Sequence, residues 1–266
     1  MKVRPVLTLA LLILCCSVAQ AAGPASETPQ EPVSFPAAYK VVTVSNGGTI
    51  TGVVKFSGDV PTLKKLEITK DQQVCGKTDK FEEHLVVGEG NVLKNTLVYL
   101  VDISEGADFP TKDAAGKRIK HEVDQKGCQF IPHVKVVPVG QRLTMRNSDG
   151  IMHNIHLFSK KGYNKAQPKT RKTLRIPAAK KPEGPIPIRC DVHGWMSGWL
   201  IYINHPYYAV TNEKGEYKIE NVPPGTYKLA WWQEACGTNK DMPASVTVAA
   251  GGTAKQDFTL TLRKKK

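Results

Sequence analysis

The chain has 266 residues, a formal net charge of +13 and 41% apolar side chains, enough to build two modest cores. That balance suits acidic partners or surfaces. No aromatic-rich nucleic-acid signature accompanies it, and no apolar run reaches the length that spans a membrane, so neither nucleic acid nor a transmembrane anchor is expected. In chain order, Lys2 and Arg4 precede an apolar run from Val6 to Val18 and the small-x-small triplet Ala19-Gln20-Ala21. These predict a signal peptide over 1–21, cleavage near Ala21/Ala22 and a periplasmic or secreted protein. Lipidation at Cys15 or Cys16 is the competing reading, but Leu14 stands before Cys15 where such signals carry a small residue. Residues 22–45, rich in Pro, Ala, Ser and Glu from Gly23 to Ala38, read as a flexible linker.

From Asn46 onward, short runs rich in Val, Ile, Thr and Tyr alternate with Gly and Pro. Strands are predicted at Thr49–Phe56, Leu97–Val101, Val134–Val139, Arg142–Arg146, Ile151–Phe158, Gly198–Asn204, Glu216–Ile219, Tyr227–Trp232, Ser245–Ala249 and Phe258–Leu262. No segment keeps a helical period. The reading is all-β, two sandwiches.

Four residues carry chemistry. Cys190, His193 and Met196 stand at Cys-x-x-His-x-x-Met spacing on one predicted loop, and His153 opens an upstream strand. Two imidazoles and a thiolate with a long axial thioether form a set that selects copper and suits one-electron transfer. Zinc more usually takes Cys, His or carboxylate in place of Met. His156, three residues along a strand from His153, faces the other way and reads as a surface or packing residue. His133 reads as structural, and His84, His121 and His205 have no partner motif. With the signal gone, four cysteines remain: Cys75, Cys128, Cys190 and Cys236. If Cys190 binds metal, one of the other three is odd. The favoured pairing is Cys75 with Cys128, leaving Cys236 free, although sequence does not fix connectivity.

At these residues the chain resembles the plastocyanin and amicyanin family of blue copper proteins. It has their short Cys-x-x-His-x-x-Met loop and a His153-Asn154-Ile155-His156 segment whose first His ligates. It also has Gly140 to Asn147, like the strand leading to that histidine. The resemblance covers roughly Gln125 to Asn204. It implies a Greek-key cupredoxin sandwich over 117–204 and one copper ion cycling between Cu(I) and Cu(II). It implies His153, Cys190, His193 and Met196 as ligands. Asn154 would tie the two ligand loops together by hydrogen bonds. A second resemblance lies outside that span. Asn46 to Pro61 and Thr211 to Trp232, with its Pro223-Pro224-Gly225-Thr226-Tyr227, resemble the two halves of a carboxypeptidase regulatory-like domain, a transthyretin-like β-sandwich. The implied arrangement is a split sandwich (46–116 and 205–262) with the copper domain inserted, or else two domains in tandem. Residues 263–266 form a basic tail.

The expected function is an exported electron carrier rather than an enzyme, with Cys190 as the covalent path to the metal and His193 as the exit. Nine Lys or Arg lie between Lys160 and Lys181. Of these, Lys160, Lys161, Lys165, Lys169, Arg171 and Lys172 would dock an acidic redox partner such as a cytochrome or dehydrogenase. Trp199 is expected in the core, Trp195 in the core or on a docking patch, and at least one of Trp231 and Trp232 in the core. Two rivals remain: a carbohydrate or cell-envelope binding module with an accessory copper domain, and a copper storage or delivery protein.

Overall fold

The computed structural model describes residues 30–36 and 38–263. The predicted signal peptide, the start of the linker and Lys264 to Lys266 of the basic tail lie outside the described residues. The protein is all-β; among the described residues, one helical turn, Gln72–Cys75, and one 3-10 turn, Glu89–Asn91, interrupt the strands. Among the described residues, no helix is long and apolar enough to cross a membrane.

Strands near both ends of the chain pair with each other. Gly48–Phe56 lies between Glu216–Val222 (antiparallel) and Thr253–Lys255 (parallel), with Phe258–Leu260 alongside. Leu97–Leu100 lies between Tyr208–Val210 and Gly225–Gln233, both antiparallel, and Ala244–Val248 extends that sheet. Ile50, Val54, Val98, Leu100, Tyr217 and Leu229 fill the space between these two sheets, here the end lobe. Its turn before Glu216 needs glycine. Gly215 sits at φ +67°, and a Cβ there would meet the Val54 carbonyl at 2.6 Å.

The chain between builds two further sheets, the middle lobe. One runs Tyr163–Gln167, His153–Leu157, Glu183–Arg189, Ser197–Ile203 and Val134–Pro138. The other runs Thr173–Ile176, Leu143–Asn147, Glu122–Gln125 and Phe130–Ile131. Val123, Met145, Ile155, Ile188 and Leu200 lie between them.

A third apolar layer joins the lobes. Leu97, Tyr99, Ala230 and Trp232 face Val134, Val136, Trp199, Ile201 and Ile203. Alternation explains it: Leu97 and Tyr99 point to this seam, Val98 and Leu100 to the end-lobe core. Trp199 and Trp232 meet there edge to face at 5.3 Å. Trp232 is fully buried, whereas Trp231 packs partly against the end-lobe core.

The linker expectation fails for residues 30–36. Val33 is buried in the seam, and its N–H bonds to the Gly184 carbonyl at 3.1 Å. Phe35 packs on Tyr99 with ring centroids 5.3 Å apart, and the Gln30 amide donates to the Glu234 carbonyl at 3.2 Å. Polar composition hid two well-placed apolar side chains. The predicted tail also begins anchored, since the Arg263 N–H bonds to the Ala235 carbonyl at 3.1 Å.

One excursion positions the candidate site. Between Gly48–Phe56 and Leu97–Leu100, the end lobe sends part of residues 57–84 across to the middle lobe, and the chain returns to pack Leu85 and Leu93 in the end-lobe core. Ile68, Val74 and Cys75 pack into the middle-lobe core, and a disulfide joins Cys75 to Cys128. Cys236 is free and buried, and burial pushes its thiol up to about 12.

Candidate metal centre

Strand His153–Leu157 pairs antiparallel with Glu183–Arg189, placing His156 opposite Arg189. The chain then runs through Cys190 into a loop that ends where Ser197–Ile203 begins. A turn with Met196 N–H bonded to the His193 carbonyl at 2.9 Å folds that loop back. Three ligand atoms thereby converge. Cys190 Sγ lies 3.8 Å from both His153 Nδ1 and His193 Nδ1, and the two Nδ1 atoms are 3.0 Å apart. All three side chains are buried, as is Met196, which belongs to the same core cluster as Cys190.

The triangle fits a metal ion. A point equidistant from the three atoms lies about 2.1 Å from each, close to ordinary metal–imidazole and metal–thiolate bond lengths. Cys128, Asp149 and His153 also cluster, but Cys128 is spent in the disulfide and offers no thiolate.

Each histidine turns its other ring nitrogen to a carboxylate. His153 Nε2 is 3.0 Å from Asp149 Oδ2, and His193 Nε2 is 2.8 Å from Asp71 Oδ2. Such contacts fix the tautomer and leave Nδ1 free to ligate. Asp149 in turn accepts from the N–H groups of Gly127 and Cys128 at 2.5 and 2.8 Å. Burial pushes its carboxyl up, but His153 and those two amides hold it below the usual range. Burial pulls His153 down; Asp149 and Cys190 outweigh it and hold the imidazole up at about 9. Burial pushes the Cys190 thiol up, yet the two imidazoles and the N–H groups of Asn154 and His193 bring it down to about 6.

Asn154 links the two ligand segments. Its Oδ1 accepts from Asp191 N–H at 2.5 Å and Val192 N–H at 3.3 Å, and its own N–H points at Cys190 Sγ from 3.5 Å. His156 sits away from the centre, stacked on Phe158 and 3.0 Å from Asp191 Oδ1. His133 is buried at the lobe junction, with Nε2 2.7 Å from Glu234. Trp199 is buried in the seam. Trp195 is half-buried, its ring 5.1 Å from that of His193 and its Nε1 donating to the Cys128 carbonyl.

Two expectations need correction. His193 offers no exit edge, because Asp71 and the excursion from the end lobe cover it completely. The basic run is also not one patch. Strand Tyr163–Gln167 runs antiparallel to His153–Leu157, with Tyr163 opposite Leu157 and Gln167 opposite His153. Lys160 and Lys161 therefore lie at the far end from the centre and Lys165 midway along the edge strand. Lys169, Arg171 and Lys172 follow on the turn at the His153 end, where Asn147 N–H bonds to the Lys172 carbonyl.

Sequence reasoning missed Asp71 and Asp149. Asp149 stands four residues before His153 in a turn and was open to inspection. Asp71 is 122 residues from its partner, and no local pattern marks it.

Residues 185–256 match the family model described as polysaccharide lyase family 4, domain II, a stretch that covers well under half of the chain. No curated protein matches the chain. Among solved structures, similarity is found to a copper-containing nitrite reductase from Thermus scotoductus SA-01, at 23% identity and a TM-score of 0.28. That match covers 36% of this chain and 25% of that one. An oxidised mutant of amicyanin matches at 17% identity and a TM-score of 0.29, over 40% of this chain and 97% of that one. The reduced Cu(I) form at pH 4 of a second amicyanin mutant matches at 21% identity and a TM-score of 0.22, over 31% of this chain and 81% of that one.

Proposed function

We propose that the protein is an exported mononuclear copper protein that carries single electrons, with residues 117–204 as its copper domain inserted in a split sandwich. The observation that carries this reading is the buried Cys190–His153–His193 triangle, with Met196 on the same loop. A thiolate, two imidazoles and a thioether suit copper better than zinc or a hard cation. Bound there, copper would supply a one-electron Cu(I)/Cu(II) couple.

The chain's own residues would keep the cost of electron transfer low. Asp149 and Asp71 hold both imidazoles, and Asn154 fastens the strand start to the ligand loop. Burial of all the ligands excludes water and leaves no open face for a substrate, which favours a carrier over an enzyme and a retained metal over one stored for delivery. Lys169, Arg171 and Lys172 are exposed at the His153 end and are placed to steer an acidic redox partner. The predicted signal and the Cys75–Cys128 disulfide support an oxidising compartment.

The test is Cys190→Ser. Copper-loaded wild type should show intense thiolate-to-copper charge-transfer absorption that bleaches on one-electron reduction. The variant should lose that absorption. Strong colour in Cys190→Ser would remove Cys190 from the site and end this reading.

A second reading rests on the polysaccharide lyase family match, which lies largely in the end lobe. There the end lobe binds glycan and the copper domain is accessory. Retention on polysaccharide resins, equal for wild type and Cys190→Ser, is its expected signature.

A further inference from the structure

The two carboxylates that hold the histidines come from different lobes, yet one covalent bridge braces both. Asp71 precedes the helical turn Gln72–Cys75, and the Cys75 N–H bonds to the Asp71 carbonyl at 2.8 Å. Cys75 is disulfide-bonded to Cys128. The Cys128 N–H donates to Asp149 Oδ2 at 2.8 Å, the same oxygen that faces His153 Nε2. A continuous path thus runs from His193 through Asp71, Cys75, Cys128 and Asp149 to His153. Trp195 closes it on one side, with its ring against His193 and its Nε1–H on the Cys128 carbonyl.

Backbone conformation points the same way. Asp71 and Cys128 both occupy the left-handed region, at φ +49° and +57°. Non-glycine residues rarely adopt it and keep it only where the surroundings enforce it. Asp71, whose carboxylate accepts from His193, and Cys128, the bridging cysteine, are two of the described non-glycine residues held there.

Resting on the copper reading above, we propose that Asp71 is a positioning residue for His193, held in place by the Cys75–Cys128 bridge, so that the end lobe sets the ligand geometry of a centre built in the middle lobe. An imidazole that ligates through Nδ1 must carry its proton on Nε2. Asp71 accepts that proton in a hydrogen bond, which selects the tautomer and fixes the ring plane. Without Asp71, the covered His193 loses the partner of its Nε2–H and is free to change tautomer. The bridge keeps Asp71 at its post across 122 residues of sequence.

The test compares wild type with Asp71→Ala, Asp71→Asn and the Cys75→Ala/Cys128→Ala pair. The Asp71 side chain is 28% exposed and outside the apolar core, so its variants should fold as wild type does. The readouts are copper(I) affinity by chelator competition and, in metal-free protein, the imidazole nitrogen NMR shifts of His193. Asp71→Ala should weaken copper binding by about 10- to 100-fold and populate both His193 tautomers. Asp71→Asn keeps an acceptor and should restore the Nε2–H tautomer and most of the affinity. The double cysteine variant should reproduce Asp71→Ala, and adding Asp71→Ala to it should cost little more. Wild-type affinity together with a single wild-type tautomer in Asp71→Ala would overturn the proposal. Failure of the copper reading itself shows separately, as wild-type protein without thiolate–copper absorption. The metal-free tautomer comparison decides the role of Asp71 in that case as well.

Discussion

On the copper reading proposed above, Met196 is the residue whose change should tune the site without losing it. In the proposed copper site, a Met196 thioether would adjust the metal more than anchor it. Met196→Gln should therefore keep copper bound and shift the reduction potential, as read by redox titration. An unmoved potential would mean that Met196 is not the axial ligand. The three converging residues were legible from spacing, because Cys190 and His193 share one loop and His153 opens a strand. Their support was only half legible. Asn154 sits next to His153 and could be assigned, whereas Asp71 approaches from another lobe. Burial of His193 was illegible for the same reason: the residues that cover it come from far away in sequence.

At the scale of elements, the strands were legible wherever alternation was strong, as at Gly48–Phe56, whose residues are buried at every second position from Gly48 to Val54. Leu97–Leu100 and, after Ser197, Gly198–Ile203 carry no charged side chain because they are buried on both faces. That pattern identified strands but not the seam they would form. The junction also holds His133 between Glu234 at 2.7 Å and Glu83 at 3.7 Å. Burial pulls His133 down, but the two carboxylates hold it above its ordinary 6.5; burial pushes Glu234 up, but His133 holds it below its ordinary 4.5. The stabilisation from this pair is complete between those two ordinary values. It fades as pH rises through the raised value of His133, and again as pH falls through the lowered value of Glu234. Denaturant unfolding followed from about pH 3 to about pH 9 should trace both limbs, and Glu234→Gln should flatten them. Equal pH dependence in the two proteins would contradict a stabilising junction pair.

For the whole molecule, the question is whether the lobes behave as one unit. The seam around Trp199 and Trp232 is apolar and fully buried at its centre, and residues 30–36 close over it. Trp232→Ala should cost about 3–5 kcal/mol in denaturant unfolding, the usual loss for a large buried aromatic. It should also split a single transition into two. A loss below about 1 kcal/mol, with one transition kept, would mean that the seam adds little to either lobe. Composition gave no hint of this layer, since two sandwiches have enough apolar residues for two cores and nothing local announces a third.

The central claim is a thiolate-bound copper centre at Cys190, His153 and His193. Electron paramagnetic resonance of the protein loaded with one equivalent of Cu(II) tests it most directly. A strongly narrowed copper hyperfine splitting, with intense visible colour, is the predicted result. A pale protein with an ordinary tetragonal copper signal would contradict the account.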